Sequence, residues 1–292
     1  MKSETTLLEF VSIGKVFSER WVNQDISFKV AAGSIHALIG ENGAGKSTLM
    51  KILFGLYQAD QGEIFLRGKP VRFSSPSQAK VAGLGMVHQH FMLAAPITAL
   101  DHLLLERTVA ASGLQKIRKW LGPLPRKQVL QEAQTTAEKF HMPVPWLQPV
   151  HKLPVGIQQR IEILKLLCNR ADILIFDEPT AVLTPQEVDG FFRQLQRLKA
   201  AGNTILLITH KLKEVMAIAD QVTVLHQGRV TYSGDVQGHS ARSLGELMTQ
   251  TQGPREVSAT APVTYQPGKS VLQIRDLSFS QGEKSILNRR GF

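Results

Sequence analysis

Residues 40–48 read GENGAGKST: a glycine, four residues, then Gly-Lys-Ser/Thr. Gly40, Glu41, Asn42, Gly43, Ala44, Gly45, Lys46, Ser47 and Thr48 therefore form a candidate phosphate-binding loop. The glycines let the backbone bend so that successive N–H groups face one phosphate chain. Lys46 supplies a point charge for the β- and γ-phosphates, and the Ser47 hydroxyl suits Mg²⁺. The helix expected to begin here turns its positive end toward the anion. The flanks agree with this reading. Ile35 to Ile39, IHALI, is a short apolar run of strand type, and Leu49, Ile52, Leu53 and Leu56 recur at helical spacing.

The chain has 292 residues, 43% hydrophobic and 20% charged, which places it among globular proteins of one or two domains. No apolar run is long enough to span a bilayer, and MKSETTLLEF at the start lacks the apolar core of a signal peptide. The expected location is the cytoplasmic face of a membrane, as a peripheral protein. A single cysteine, Cys168, excludes an internal disulfide. Its spacing from Ile157, Ile161 and Leu164 predicts a packing role on an apolar helix face. The formal net charge of +10 suits a nucleic acid, an anionic membrane surface or a nucleotide. Lys116, Arg118, Lys119, Arg126 and Lys127 form the densest basic cluster, read either as a solvated face or as a membrane-proximal surface. Aromatic and basic residues do not interleave as in a nucleic-acid groove, so no nucleic acid is expected.

Strand-like and helix-like segments alternate to about Gly234, which predicts an α/β domain with a largely parallel sheet. Strands are expected at Ile35–Ile39, Gly85–Val87, Ile173–Phe176 and Ile205–Thr209. From about residue 91 to 165 the pattern turns helical, around Leu100–Leu105 and Val129–Phe140, with prolines at 123, 125, 143, 145 and 149 breaking the connections. Residues 1–250 are read as one nucleotide-binding domain carrying that helical insertion. Residues 251–269 have the Thr, Pro, Gly and Ser content of a linker. Residues 270–292 then echo the beginning: Val271–Ile274 and Leu277 repeat Leu7–Phe10 and Ile13, and 288–292 repeat 24–28. This predicts the start of a second module of the same type.

Further motifs narrow the class. Ile173 to Pro179, ILIFDEP, is an apolar strand ending in two acids, and LPVGIQQR at 153–160 precedes it. Gln89 follows one expected strand and His210 ends another. Together these resemble the nucleotide-binding domains of ABC transporters, over nearly all of residues 5–250. HQHF at 88–91, VGIQQRIEILK at 155–165 and DEPTAVLTPQE at 177–187 resemble the tandem ATPases of simple-sugar and nucleoside importers. The resemblance implies a P-loop NTPase fold with an antiparallel β portion at the N-terminus, a mostly parallel core sheet and an inserted helical subdomain. It also implies roles. Asp177, with Ser47 and Gln89, would hold Mg²⁺. Glu178 would be the general base that orients the attacking water. Gln89 resembles the glutamine that touches both metal and water, and His210 the histidine that senses the γ-phosphate. Phe17 resembles the aromatic that stacks on adenine, with Trp21 as its rival. Leu153, Pro154, Val155, Gly156 and Ile157 would form the signature that caps the nucleotide of an opposing module.

Two positions depart from the pattern. The signature usually reads LSGGQ, and Pro154 replaces its serine; proline has neither hydroxyl nor N–H to offer a phosphate. Thr184 stands where many relatives carry an aspartate. With one phosphate loop and one signature, the chain alone is expected to bind Mg-ATP and hydrolyse it slowly. The expectation is an ATP-hydrolysing subunit of an importer, with ATP and Mg²⁺ as cofactors. Its partners would be transmembrane permeases, a second ABC module and an extracytoplasmic substrate-binding protein. The alternative is a degenerate ATP-binding module with a regulatory role outside transport.

Overall fold

Period-two burial at the N-terminus builds the first sheet. In β1 (Thr6–Phe17), Leu8 and Phe10 point inward, and an irregularity at Ser12, whose φ is 48°, moves the inward face to Ile13. One extra residue reverses the alternation, which is what a bulge does. β2 (Arg20–Ala31) returns antiparallel and sets Phe28 on Phe10, ring centroids 4.5 Å apart. β4 (Gln61–Leu66) and β5 (Lys69–Val71) complete a sheet of order β2-β1-β4-β5. The structure is a computed structural model and describes residues 5–89, 92–109, 125–249, 277–281 and 284–290.

A second sheet carries the expected apolar runs. Its strands are β3 (Ile35–Gly40), β6 (Leu84–Val87), β7 (Ile173–Asp177), β8 (Thr204–Thr209), β9 (Gln221–His226) and β10 (Arg229–Asp235). Among the described residues the order is β10-β9-β3-β8-β7-β6, parallel except for β10, which pairs antiparallel with β9. Both faces are covered. Leu174, Phe176, Ile205 and Leu207 join one core cluster, while Ile173, Ile175, Leu206 and Ile208 join another. Burial on both faces explains why these strands read as continuous apolar runs.

The helices are α1 (Lys46–Leu53), α2 (Pro76–Val81), α3 (Ala99–Val109), α4 (Arg126–Lys139), α5 (Val155–Cys168), α6 (Pro185–Ala200), α7 (Leu212–Ile218) and α8 (Ala241–Thr249). α3, α4 and α5 pack on one another and form the helical insertion. α6 starts with a capping box, Thr184 and Glu187 bonding reciprocally, and with Pro185 in its first turn. Its Phe191, Leu195 and Leu198 then lie one turn apart against the sheet. Ile157 and Cys168 pack at the edge of the same cluster, as their spacing predicts.

One helical expectation fails. Leu56 lies beyond the end of α1 and is 53% exposed. Gly55 stops the helix: its φ is +70°, and a Cβ there would stand 2.6 Å from the Phe73 carbonyl oxygen. The apolar spacing runs past a backbone that has already turned. In the basic cluster, Arg126 pairs with Asp101 at 2.7 Å, while Lys116, Arg118 and Lys119 lie outside the described residues.

The chain divides into two compact units, residues 1–252 and 253–292. In the second, β11 (Leu277–Gln281) and β12 (Lys284–Arg290) form an antiparallel hairpin. The expected linker and the repeat at Val271–Ile274 lie outside the described residues. No helix among the described residues is long and apolar enough to cross a membrane.

Candidate nucleotide site

Parallel strands in near-level register end on one edge of the second sheet. Ile39 of β3 is level with Thr209 of β8, and Asp177 of β7 with Ile208. Gly40, Gln89, Asp177 and His210 therefore emerge together at the carboxyl ends, where open α/β sheets bind ligands.

The loop between β3 and α1 is held from behind. Gly45 has φ +99°, and a Cβ there would stand 2.6 Å from the Val22 carbonyl oxygen. Buried Asn23 donates its amide to the Gly45 carbonyl at 3.2 Å, and the Gly228 N–H donates to Ala44 at 3.2 Å. Gly228 in turn accepts the Gln24 N–H at 2.7 Å. Strand β2 and the β9–β10 turn thus clamp the loop, and sequence reasoning missed both. The available signal was a polar residue, Asn23, inside an alternating strand.

In front, the loop is open. Nothing stands within 4 Å of where a Gly43 Cβ would be, and Ser47 is exposed. The first turn of α1 closes with Leu49 N–H on the Gly45 carbonyl, so the N–H groups of Lys46, Ser47 and Thr48 have no partner within the helix. Lys46 folds back over the loop and donates to the carbonyls of Gly40 at 2.7 Å and Glu41 at 3.0 Å. Burial pushes its ammonium below the ordinary value, against the pull of Glu178 and Asp177. A polyphosphate fits this cradle: bent backbone, donors in front and one desolvated cation.

The two acids at the end of β7 differ in environment. Burial raises Asp177 above the usual carboxylate range, the Glu178 charge adds to this, and His88, Lys46 and Lys51 oppose it. Glu178 adopts φ 46°, a left-handed conformation that non-glycine residues seldom take. Its N–H donates to Ile208 at 2.9 Å. Its carboxylate faces two partners: the Gln89 amide at 3.3 Å and His210 Nδ1 at 3.0 Å. One carboxylate thereby joins the ends of β6, β7 and β8. Oxygen donors from Ser47, Gln89 and Asp177 suit a hard cation that keeps most of its ligands as water and phosphate oxygen.

Phe17 lies at the tip of the β1–β2 hairpin, 39% exposed. Tyr57 meets it edge-on at 5.2 Å, and Lys15 Nζ lies 5.3 Å from its ring centre. Trp21 is 41% exposed and lies across Gly14. Both rings are available for stacking; Tyr57, which supports Phe17, was not anticipated.

Leu153 to Ile157 lead into α5. Pro154 is its N-cap residue and its carbonyl accepts the N–H groups of Ile157 at 3.0 Å and Gln158 at 3.1 Å. The Glu187 carboxylate reaches this helix start as well: a Cβ on Gly156 would stand 2.9 Å from its Oε1. Bonds from Thr184, with a smaller contribution from the Gly156 N–H, hold Glu187 below the usual carboxylate range. Thr184 thus serves as the cap of α6. His90 and Phe91 of the HQHF segment lie outside the described residues.

The ABC transporter family matches residues 23–181, just over half of the chain and the span from the loop clamp through both acids. The chain belongs to the ABC transporter family. It is 39% identical to a nucleoside import ATP-binding protein, NupA, of Lactococcus lactis, over 96% of this chain and 53% of that protein. It is 41% identical to a guanosine import ATP-binding protein, NupO, of Bacillus subtilis, over 98% of this chain and 56% of that one. A glucose import ATP-binding protein of Haloferax volcanii is 40% identical, over 93% and 52%. The chain spans about half the length of the curated relatives it matches. Among solved structures, an ATP-binding cassette of an ABC transporter in its ADP conformation superposes with TM-score 0.70 at 25% identity, covering 83% of this chain and 94% of that one. A nucleotide-free cassette gives 0.69 at 25%, covering 82% and 94%.

Proposed function

We propose that this chain binds and hydrolyses ATP to energise uptake of a nucleoside or simple sugar through partner membrane permeases. The observation that carries the reading is the convergence of the phosphate loop, Asp177, Glu178, Gln89 and His210 at one sheet edge, with Glu178 held by both Gln89 and His210. The names of the similar proteins, import ATP-binding proteins for nucleoside, guanosine and glucose, supply the cargo class.

Each residue's placement supports a part in this reading. The N–H groups of the loop and the start of α1 receive the phosphates, and Lys46 leaves its two carbonyls to meet the β- and γ-oxygens. Phe17 or Trp21 covers the adenine. Glu178 accepts a proton from the attacking water and fixes its direction, while His210 and Gln89 hold that carboxylate. Ser47, Gln89 and Asp177 would hold Mg²⁺, which would supply neutralisation of phosphate charge. Positioning and neutralisation supply most of what phosphoryl transfer needs. Residues 153–157 cap the nucleotide of an opposing ABC module, and residues 270–292 begin such a module.

The permeases meet the helical insertion beside Gln89. Leu105 of α3 is 53% exposed, Met92 is 69% exposed, and Val81 of neighbouring α2 is 89% exposed. The Lys80–Glu106 pair at 3.5 Å joins α2 to α3 in that region. The protein sits at the cytoplasmic face of the membrane, and an extracytoplasmic binding protein delivers cargo. The test is calorimetry with Mg-ATP, then ATPase and uptake by the assembly with its permeases, compared with Glu178→Gln. Tight binding, with hydrolysis and uptake lost together in the variant, is expected. Absence of ATP binding by folded protein overturns the reading.

A further inference from the structure

A second buried carboxylate lies just behind this site. Glu214, in the first turn of α7, is 7% exposed. Its Oε1 accepts the Thr180 hydroxyl at 2.6 Å and lies 3.3 Å from Lys211 Nζ. Its Oε2 accepts the Thr209 hydroxyl at 3.4 Å. Lys211 Nζ also donates to the Thr180 carbonyl at 3.1 Å and to its hydroxyl oxygen at 3.0 Å. The Lys211 N–H donates to Thr209 Oγ1 at 3.0 Å, which closes the ring.

The sequence positions of these partners give the ring its meaning. Thr180 follows Glu178 by two residues and is 2% exposed. Thr209 and Lys211 flank His210 on either side. The Glu178 and His210 side chains meet at 3.0 Å although their loops leave different strands. Behind that contact, the ring fastens one loop to the other. From the opposite side, the buried Gln159 amide of α5 donates to the Pro179 carbonyl at 2.9 Å. The loop after Glu178 is therefore gripped on both flanks, as its left-handed φ requires: such a conformation persists only where its surroundings over-determine it.

We propose that Glu214 is a positioning residue that, through Thr180 and Lys211, sets the distance between the Glu178 carboxylate and the His210 imidazole. It acts through Thr180, Thr209 and Lys211, not on the reacting atoms. Its carboxylate is the one group in the ring that accepts from both loops, so removing its charge leaves the loops joined there only by the Lys211–Thr180 bonds and does not touch the phosphate loop. Displacement of a reacting group by about 1 Å costs on the order of 100-fold in rate. The inference rests on the hydrolytic role proposed for Glu178.

The test uses the chain with Glu214→Gln, with Thr180→Val as an isosteric loss of the hydroxyl, and with Glu178→Gln alone and combined with Glu214→Gln. Single-turnover hydrolysis is expected to fall about 100-fold in the first two variants, with ATP affinity within about twofold of the parent. The combined variant should be no slower than Glu178→Gln. Independently of turnover, the imidazole ¹⁵N signal of His210 at fixed pH should move in Glu214→Gln toward its position in Glu178→Gln. If Glu214→Gln does not fold, Thr180→Val decides. Parental rates and an unmoved His210 signal in the folded variants overturn the inference. Hydrolysis that survives Glu178→Gln overturns instead the reading of Glu178 on which it stands.

Discussion

His36 offers the sharpest quantitative test of how the site is built into the fold. It lies in β3, four residues ahead of the phosphate loop, and is 1% exposed. Nε2 meets Thr223 Oγ1 at 2.8 Å, Thr223 meets Ser233 at 2.9 Å, and the ring stacks on Phe28 at 5.5 Å. Burial lowers its pKa from 6.5 to about 4. The folded chain thus refuses a proton that the unfolded chain accepts, so stability rises with pH across this window. The contribution is complete above about pH 6.5, shrinks as pH falls, and is exhausted near pH 4. The gap corresponds to about 3 kcal/mol in all, of which about 2 kcal/mol is lost by pH 5. With a urea dependence of about 2–3 kcal/mol per molar, the midpoint should drop by roughly 0.7–1 M from this group alone between pH 7 and pH 5. Other histidines titrate too, so the measurement is the difference between the parent and His36→Gln, which cannot titrate. Urea melts followed by tryptophan fluorescence over pH 5–7.5 supply both slopes. If both proteins lose stability equally with acid, His36 is not held neutral by burial and the linkage argument fails.

Other expectations follow from the same geometry. Glu178→Gln should retain ATP binding and lose about 10²- to 10⁴-fold in hydrolysis, read as phosphate release at saturating ATP. Gly45→Ala places a Cβ 2.6 Å from the Val22 carbonyl at φ +99°; calorimetry should show Mg-ATP affinity lost and thermal melting should show lower stability, and parental affinity would contradict the clamp. Pro154→Ser restores a hydroxyl and an N–H at the start of α5. A hydrogen bond to a charged phosphate is worth about 1.5–3 kcal/mol, so turnover of the closed assembly should rise about 10- to 100-fold. An unchanged rate would show that residue 154 does not touch the transferred phosphate.

The parts of this fold that were legible in the sequence share one property: their physical cause is local. β3, β6, β7 and β8 are buried on both faces, so each shows as a largely apolar run, broken in β3 only by His36. The phosphate loop is a backbone shape that needs glycine at fixed offsets. Leu56 shows the limit of periodicity, because apolar spacing continues past Gly55 while the backbone does not. Resemblance alone prefers Phe17 to Trp21 for adenine stacking, and both lie at one hairpin tip with similar exposure.

The residues that were not legible are coupled across the sheet. Asn23 supports Gly45 from 22 positions away, and Glu214 bonds Thr180 from 34 away. Which buried polar residue meets which depends on strand order, and a linear pattern of residue types carries no strand order. Pro154 makes the same point in reverse. Read alone, it is a lost hydroxyl. In the structure its carbonyl accepts two N–H groups, and Glu187, anchored by Thr184, reaches Gly156, two positions on, from another helix. Thr184 and Pro154 look like two separate departures from the family pattern, yet Glu187 links them: it bonds Thr184 at the start of α6 and lies beside Gly156 at the start of α5. A serine at 154 therefore acts on a helix start that a carboxylate already reaches at Gly156, and combining Pro154→Ser with Glu187→Gln should give a gain different from the sum of the two. Strict additivity would mean that the two departures are independent after all.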